Sequence, residues 1–355
     1  MESLSVVLAE NARLATERRP LPPRPGPDWA LVRVVAAGVC GSDIPRAFSG
    51  GAYHYPLVMG HEFAGVVTEP AETAPEQGPG FPAGSRVAVY PLIPNPRERI
   101  NEIGQYALGR EYDYFGSRRD GAFQEYVWVP AFNLFPVRDE LPLVHAALVE
   151  PCAVAYHAVD RPSISAGATA LVIGGGPIGL MVAQWLRVRG CARVLVSEMD
   201  PRKRTIAADL GFEALDSTAD PVGVCIRETG GADVVIEAVG LPATFRQAIQ
   251  AAGIFGQVVF LGNIHGDFSI PEREFSSILR RELTVYGTWN SSITPRGHDE
   301  WTRVLAAIGR TVHVAPLISH TPPLADAPAV LRSMHDRAQW YNKVVFSVSP
   351  DPGAQ

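Results

Sequence analysis

Residues 168–190 read ATALVIGGGPIGLMVAQWLRVRG. ATALVI is a short apolar run with the length of a buried strand. Three glycines follow it. PIGLMVAQWLRVRG then carries apolar residues at helical spacing, and Gly190 ends it. Gly174, Gly176 and Gly179 fit G-x-G-x-x-G, between a predicted strand and a predicted helix. The first glycine allows a tight turn, the second lets backbone approach a pyrophosphate, and the third lets helix and strand pack closely. Pro177 and Ile178 fall inside the same loop and count with it as cofactor-contacting positions. The free N–H groups and dipole of the helix N-terminus favour an anion there.

A dinucleotide loop of this kind calls for an acid about 20 residues on, at the end of the second strand. Glu198 closes VLVSE, and Asp200 competes with it. A carboxylate there accepts hydrogen bonds from the adenosine ribose and repels a 2′-phosphate, which favours NAD over NADP. Arg202, Lys203 and Arg204 weaken that exclusion, and Lys203 is counted among the cofactor-binding residues.

The same texture continues outward from the loop. ARVLVSEMD, ADVVIEAVG, GQVVFLGN and ELTVYGTW read as strands, with PRKRTIAADLG and PATFRQAIQAAG as helices among them. This alternation predicts an α/β unit with a doubly wound parallel sheet. Residues 1 to about 150 differ. ALVRVVAAGV, FAGVV, SRVAVY and EYVWVP are short valine-bearing strands of an irregular β-rich region, and 69–84 is a surface loop by composition. The final KVVFSVS reads as a strand rejoining that first region.

The 355 residues suggest two domains. A net charge of −6 without a basic stripe argues against a nucleic-acid partner. The longest apolar stretch, Ala170 to Ala183, is too short to span a bilayer. The N-terminal MESLSVVLAENARL has no signal pattern, so the expected location is the cytoplasm. Cys40, Cys152, Cys191 and Cys225 are far apart and form no CxxC pair, which is not a disulfide framework. Lys203 and Lys343 are the only lysines; every other basic residue is arginine, as a GC-rich genome would encode.

Residues 56–67, PLVMGHEFAGVV, place His61 and Glu62 inside an apolar run. Burying such a pair is unfavourable unless something satisfies it. GVCGSD, residues 38–43, offers a thiolate from Cys40. With Glu62 or Glu150 these residues make a Cys, His, carboxylate set suited to zinc with one open position, a catalytic arrangement. Such a metal binds an alcohol oxygen and lowers its pKa. Neighbours in a strand point to opposite faces, so His61 and Glu62 reach one metal only if Gly60 bends the chain. Otherwise Glu62 stands behind the ligands. The alternative role of Glu150 is an acid at a helix start, and that of Ser42 and Asp43 is helix capping.

GVCGSD, GHEFAGVV, VEP and GGGPIG, in this order, resemble the zinc-dependent medium-chain dehydrogenase/reductase family over almost the whole chain. CGSDIPRAFSGGAYHYPLVMGHEF, EYDYFGSRRDGAFQEYV and LRRELTVYGTWNSS resemble its polyol dehydrogenases of the galactitol-1-phosphate 5-dehydrogenase type. The resemblance implies a GroES-like catalytic domain of residues 1–153 and 290–355 around a Rossmann domain of 154–289. It implies a catalytic zinc on Cys40, His61 and Glu150, with Glu62 as an exchanging ligand. Ser42 would relay the alcohol proton, and Asp43 would orient the zinc ligands. The reaction would be hydride transfer between NAD(H) and a secondary alcohol of a polyol, sugar phosphate or cyclitol, in a homodimer or homotetramer.

Many family members carry a second zinc on four cysteines in a lobe after the GHE strand. Here Asn95, Glu98, Asn101 and Gly109 take those places, so one zinc per subunit is expected. The lobe would be held by packing of Ile100, Ile103, Tyr106 and Leu108. Arg118 or Arg119 would receive a substrate phosphate or serve as surface ion-pair residues. Trp289 and Asn290 would border the substrate. A cyclitol or aminocyclitol dehydrogenase of a biosynthetic pathway is the alternative, and a non-catalytic nicotinamide-binding protein the alternative of another class.

Overall fold

The computed structural model describes residues 2–73, 80–293, 299–351 and 353. Residues 74–79 of the 69–84 loop lie outside the described residues. Two compact units form. One holds Met1–Pro151, Ser292–Gly309 and Ile318–Gln355; the other holds Cys152–Ser291 and Arg310–Leu317.

In the second unit, among the described residues, six strands form one sheet. Their order is Glu213–Asp216, Arg193–Glu198, Thr169–Ile173, Ala232–Glu237, Ala252–Phe260, Thr284–Gly287, and every pairing is parallel. The central strands are valine, leucine and isoleucine runs because helices cover both faces; Leu171, Leu195, Val235 and Val258 are fully buried. Proline opens the helices Pro177–Val188, Pro201–Asp209 and Pro242–Ala251, where its missing N–H is no loss. Thr169–Ile173 pairs with Arg193–Glu198 on one side and Ala232–Glu237 on the other. The order in which the chain adds strands reverses there, from one side of Thr169–Ile173 to the other, the topological switch point at which such sheets bind ligands. Residues 310–317 return to this unit, where Gln184 receives the His313 N–H (2.6 Å) and donates to its carbonyl (3.2 Å).

The first unit is β-rich, as its valine runs predict. Its larger sheet runs Leu134–Pro136, Arg86–Val89, Glu62–Glu69, Trp29–Gly38, Lys343–Ser347, Ile318–His320, with Tyr126–Pro130 also on Trp29–Gly38. The last strand does rejoin this sheet, antiparallel to Trp29–Gly38. A hairpin of Glu2–Glu10 with Arg13–Pro20 was not legible in the sequence. RLATERRP has no apolar alternation, and its strand form comes from the ladder its neighbour offers.

The lobe that lacks cysteines lies between the paired strands Leu92–Pro94 and Tyr112–Tyr114. The expectation that packing holds it needs correction. Tyr106 is buried, but Ile103 and Leu108 are 62% and 59% exposed. Polar bonds hold the lobe instead, from the side chains of Asn95, Glu98 and Asn101. Asn101 Nδ2 donates to the Asn95 carbonyl at 2.5 Å. Glu98 Oε1 accepts the N–H groups of Arg110 and Glu111, each at 3.1 Å. Asn95 Oδ1 accepts the Arg97 N–H, and its Nδ2 donates to Glu111.

Candidate active site

The strand Trp29–Gly38 delivers Cys40 into a turn closed from both ends. The Asp43 N–H donates to the Cys40 carbonyl at 3.0 Å, and the Cys40 N–H donates to Asp43 Oδ2 at 3.0 Å. Opposite, Gly38 pairs with Glu62 across the ladder. A Cβ on Gly38 would fall 2.2 Å from Glu62 Oε2, so the glycine leaves room for that carboxylate. Gly60 supplies the bend, with φ +94°, and a side chain there would strike the Phe123 ring. The strand starts at Glu62, which leaves His61 on the bent backbone before it. Strand alternation therefore does not separate the pair. The ligand atoms of Cys40, His61 and Glu62 lie within 4.8 Å of one another.

Asp43, His61, Glu62 and Glu150 are all buried. Asp43 Oδ1 accepts from Arg46 at 2.9 Å and stands 3.7 Å from His61 Nδ1, which has no hydrogen-bond partner among the described residues. Glu150 lies in the first turn of the helix Val149–Asp160 and accepts from the Tyr114 hydroxyl at 3.1 Å. It does not join the 4.8 Å group. Burial, then the charges of Glu62 and Asp43, push the Cys40 thiol up to about 11. Burial likewise raises Glu150 to about 8, with His61 opposing and Glu62 and Cys40 adding. These shifts mark a buried cluster rich in potential anions. A divalent cation supplies the positive charge that lets thiolate and carboxylates ionise together. Sulfur, imidazole nitrogen and carboxylate oxygen are the donors zinc takes, so the residues fit that metal.

Sequence reasoning missed Lys343. Its ammonium is buried, 2.5 Å from Glu62 Oε2, and donates to the Val39 carbonyl at 2.8 Å. Glu62 leads the causes that raise its pKa, against the opposing effect of burial. The available signal was compositional: a lysine kept in a chain that otherwise uses arginine, within an apolar strand. Ser42 is exposed and holds the N-cap position of the helix Asp43–Phe48 without a capping bond, so its hydroxyl is not spent there. Asp43 closes the Cys40 turn and faces His61; it is the first residue of the helix and not its cap.

In the second unit Gly174 has φ +103°, and a Cβ on Gly179 would lie 1.8 Å from the Gly174 carbonyl oxygen. Gly176 has nothing within 4 Å of that position, which leaves open the approach to its backbone. Glu198 accepts the N–H groups of Gly175 (2.8 Å), Met199 (2.8 Å) and Asp200 (2.9 Å), and so ties the glycine loop to the second strand. Asp200 caps the next helix through the Arg202 N–H. Arg202 pairs with Asp200, and Arg204 with Asp216. Lys203 has no such carboxylate among the described residues.

Family models match both units: an alcohol dehydrogenase GroES-like domain over residues 26–139, and a zinc-binding dehydrogenase over 177–310. Galactitol 1-phosphate 5-dehydrogenase of Escherichia coli is 32% identical, over 82% of this chain and 85% of its own. This chain belongs to the zinc-binding medium-chain dehydrogenases. L-galactonate-5-dehydrogenase of Escherichia coli shares 30% identity with the dehydrogenase, over 92% of this chain and 93% of its own. A zinc-binding dehydrogenase from Sinorhizobium meliloti, solved with NADP bound, superposes with a TM-score of 0.88 at 31% identity, covering 98% of this chain and 99% of that one.

The dehydrogenase thus has the GroES-like and parallel-sheet domains expected of it, and it is an oxidoreductase of the polyol and sugar-alcohol group. Among the described residues no helix is long and apolar enough to cross a membrane. The four cysteines are free thiols. Arg119 pairs with Asp113 at 3.1 Å, whereas Arg118 has no carboxylate partner among the described residues. Trp289 is exposed after the strand Thr284–Gly287, and Asn290 follows with φ +58°, a region asparagine tolerates.

Proposed function

We propose that the dehydrogenase oxidises a secondary hydroxyl of an open-chain polyol, sugar phosphate or sugar acid to a ketone, with NAD as hydride acceptor and one zinc per subunit. The convergence of Cys40, His61 and Glu62 within 4.8 Å carries the reading. Cys40 and His61 would hold the metal with Glu62 or Glu150 as the carboxylate ligand, the second carboxylate exchanging with the first. Zinc, when bound, supplies Lewis-acid chemistry that lowers the pKa of an alcohol. The hydride leaves the carbinol carbon for nicotinamide C4. The hydroxyl proton leaves through Ser42, whose side chain is exposed and uncapped. The products are ketone, NADH and a proton. Asp43 holds the Cys40 turn and faces His61, which fixes the ligand geometry.

Glu198 supports NAD over NADP, because its carboxylate repels a 2′-phosphate; Lys203 lessens the margin. The open edge strand Thr284–Gly287, flanked by exposed Ile254, Phe255, Phe275 and Leu279, supports a homo-oligomer through that edge. Light scattering on the purified protein reads its subunit number, and a monomer refutes that part. The two curated relatives are named for open-chain substrates, and nothing in the site favours a ring polyol. The test is zinc per chain by elemental analysis. About one zinc, lost with NAD-dependent alcohol oxidation in Cys40→Ser, supports the reading. Absence of zinc after growth and purification with added metal sinks it.

A further inference from the structure

We infer that Arg118 is the specificity residue that binds an oxyanion at the far end of the substrate, so that the dehydrogenase selects acidic polyols over neutral ones. This rests on the function proposed above. The paired arginines of GSRRDG have separate fates. Arg119 is committed: its Nε meets Asp113 at 3.1 Å, and its guanidinium lies over Trp29 at 4.7 Å. Arg118 keeps its charge. Among the described residues no carboxylate pairs with it, and one nitrogen, Nη1, donates to the Tyr112 carbonyl. Nε and Nη2 form no hydrogen bond there. That side-on edge of the guanidinium is the one that takes two oxygens of a phosphate or carboxylate together.

The arginine is also held in place. Its guanidinium carbon lies 4.1 Å from the centre of the Tyr112 ring and 5.4 Å from that of Tyr53. Two rings orient the cation without neutralising it. His54 ties the neighbouring turn to the same residue, one ring nitrogen at 3.1 Å from the Pro56 carbonyl and the other at 3.2 Å from the Arg118 carbonyl.

A line of rings joins this cation to the metal ligands. Tyr112 and Tyr114 stand with ring centres 6.3 Å apart, and Tyr114 meets the His61 ring at 5.7 Å. The Tyr114 hydroxyl is bonded to Glu150. Arg118 therefore stands two aromatic residues away from the ligand set, in the same unit. An open-chain substrate with its reacting hydroxyl at the ligands would carry its anionic group toward Arg118, on the far side of these rings. A neutral polyol gains nothing at Arg118.

The experiment compares initial rates of the zinc-loaded enzyme with NAD on galactitol 1-phosphate, L-galactonate and neutral galactitol. Arg118→Gln, Arg118→Lys and Arg119→Gln are measured beside the wild type. The wild type should favour at least one anionic substrate over galactitol by about 100-fold in kcat/KM, the size of a charge-assisted bidentate contact. Arg118→Gln should raise KM for that substrate about 100-fold with kcat within about threefold, and should change galactitol kinetics far less. Arg118→Lys should recover part of the preference. Arg119→Gln should lower the melting temperature and leave the preference standing. The two anions separate a phosphate site from a carboxylate site. Equal turnover of neutral and anionic substrates, or an Arg118→Gln loss equal on both, overturns the assignment alone. A zinc-loaded enzyme that oxidises none of the three overturns the proposed substrate class itself.

Discussion

Lys343 Nζ and Glu62 Oε2 stand 2.5 Å apart, both buried beside the candidate zinc ligands. The ammonium stands as the ion-pair partner of that carboxylate and also donates to the Val39 carbonyl. Lys343→Met leaves Glu62 buried without a counter-charge, which is expected to destabilise the fold by about 3–5 kcal/mol. Adding Glu62→Gln should recover much of that loss. Chemical unfolding of the two single variants and the double variant, all zinc-loaded, measures the coupling. Additive losses would show that the pair does not act as a unit.

Zinc uptake should release protons, and their number reports the ligands. At neutral pH a Cys40 thiol near 11 and a Glu150 carboxyl near 8 are both protonated. Each must lose its proton to ligate, so about two protons should appear per zinc at pH 7. Glu150→Gln should reduce this to about one. Titration calorimetry of the metal-free protein with zinc, in buffers of different protonation enthalpy, gives the count. A count unchanged by Glu150→Gln would assign the third ligand to Glu62.

The same carboxyl sets a pH dependence for the metal-free protein. The folded pKa of Glu150 lies above its ordinary value of 4.5, near 8. The folded form thus keeps a proton that the unfolded chain gives up. This contribution is full below about 4.5 and is lost as pH rises through about 8. The melting temperature of metal-free protein should therefore fall from pH 5 to pH 8. In Glu150→Gln the fall should shrink, and an unchanged fall would assign it to another group.

Glu198 should control both loop and cofactor choice. Glu198→Ala removes the acceptor of the Gly175 N–H and the carboxylate proposed to face the adenosine ribose. We expect KM for NAD to rise about tenfold and the ratio of KM(NADP) to KM(NAD) to fall at least as far. An unchanged ratio would place the discriminating group elsewhere.

The lobe of residues 95–111 should stand without metal. Glu98→Ala leaves the Arg110 and Glu111 N–H groups without their acceptor and should speed limited proteolysis there. With each hydrogen bond contributing about 1 kcal/mol, global stability should fall by about 1–2 kcal/mol. Chelation should abolish activity and leave cleavage of the lobe unchanged. Faster cleavage after chelation would reveal a metal in the lobe.

Much of this was legible locally. The glycine loop declares itself because φ +103° at Gly174 and a 1.8 Å approach at Gly179 admit no other residue comfortably. Helices announced their starts at Pro177, Pro201 and Pro242. His61 beside Glu62 was conspicuous because a polar pair in an apolar run needs a partner. The hairpin strand Arg13–Pro20 was not legible, since its sequence is polar and its form comes from its neighbour. The packing assigned to Ile103 and Leu108 failed for a related reason: in a short lobe, apolar character does not say which side chains turn inward.

The sequence by itself determined the two-unit α/β architecture, the nucleotide loop with its acid, and the thiol, imidazole and carboxylate candidates. These depend on backbone freedom, periodicity and donor chemistry, all carried within a few neighbouring residues. Only the tertiary structure decided that Lys343 faces Glu62, that Arg119 is spent on Asp113 while Arg118 is not, and that Asn101 and Glu98 tie the lobe. Lys343 reaches Val39 across 304 residues of chain. It does so because Gly38 pairs with Val345 on one side and with Glu62 on the other. Strand register is a long-range choice that the residues near position 343 do not encode alone.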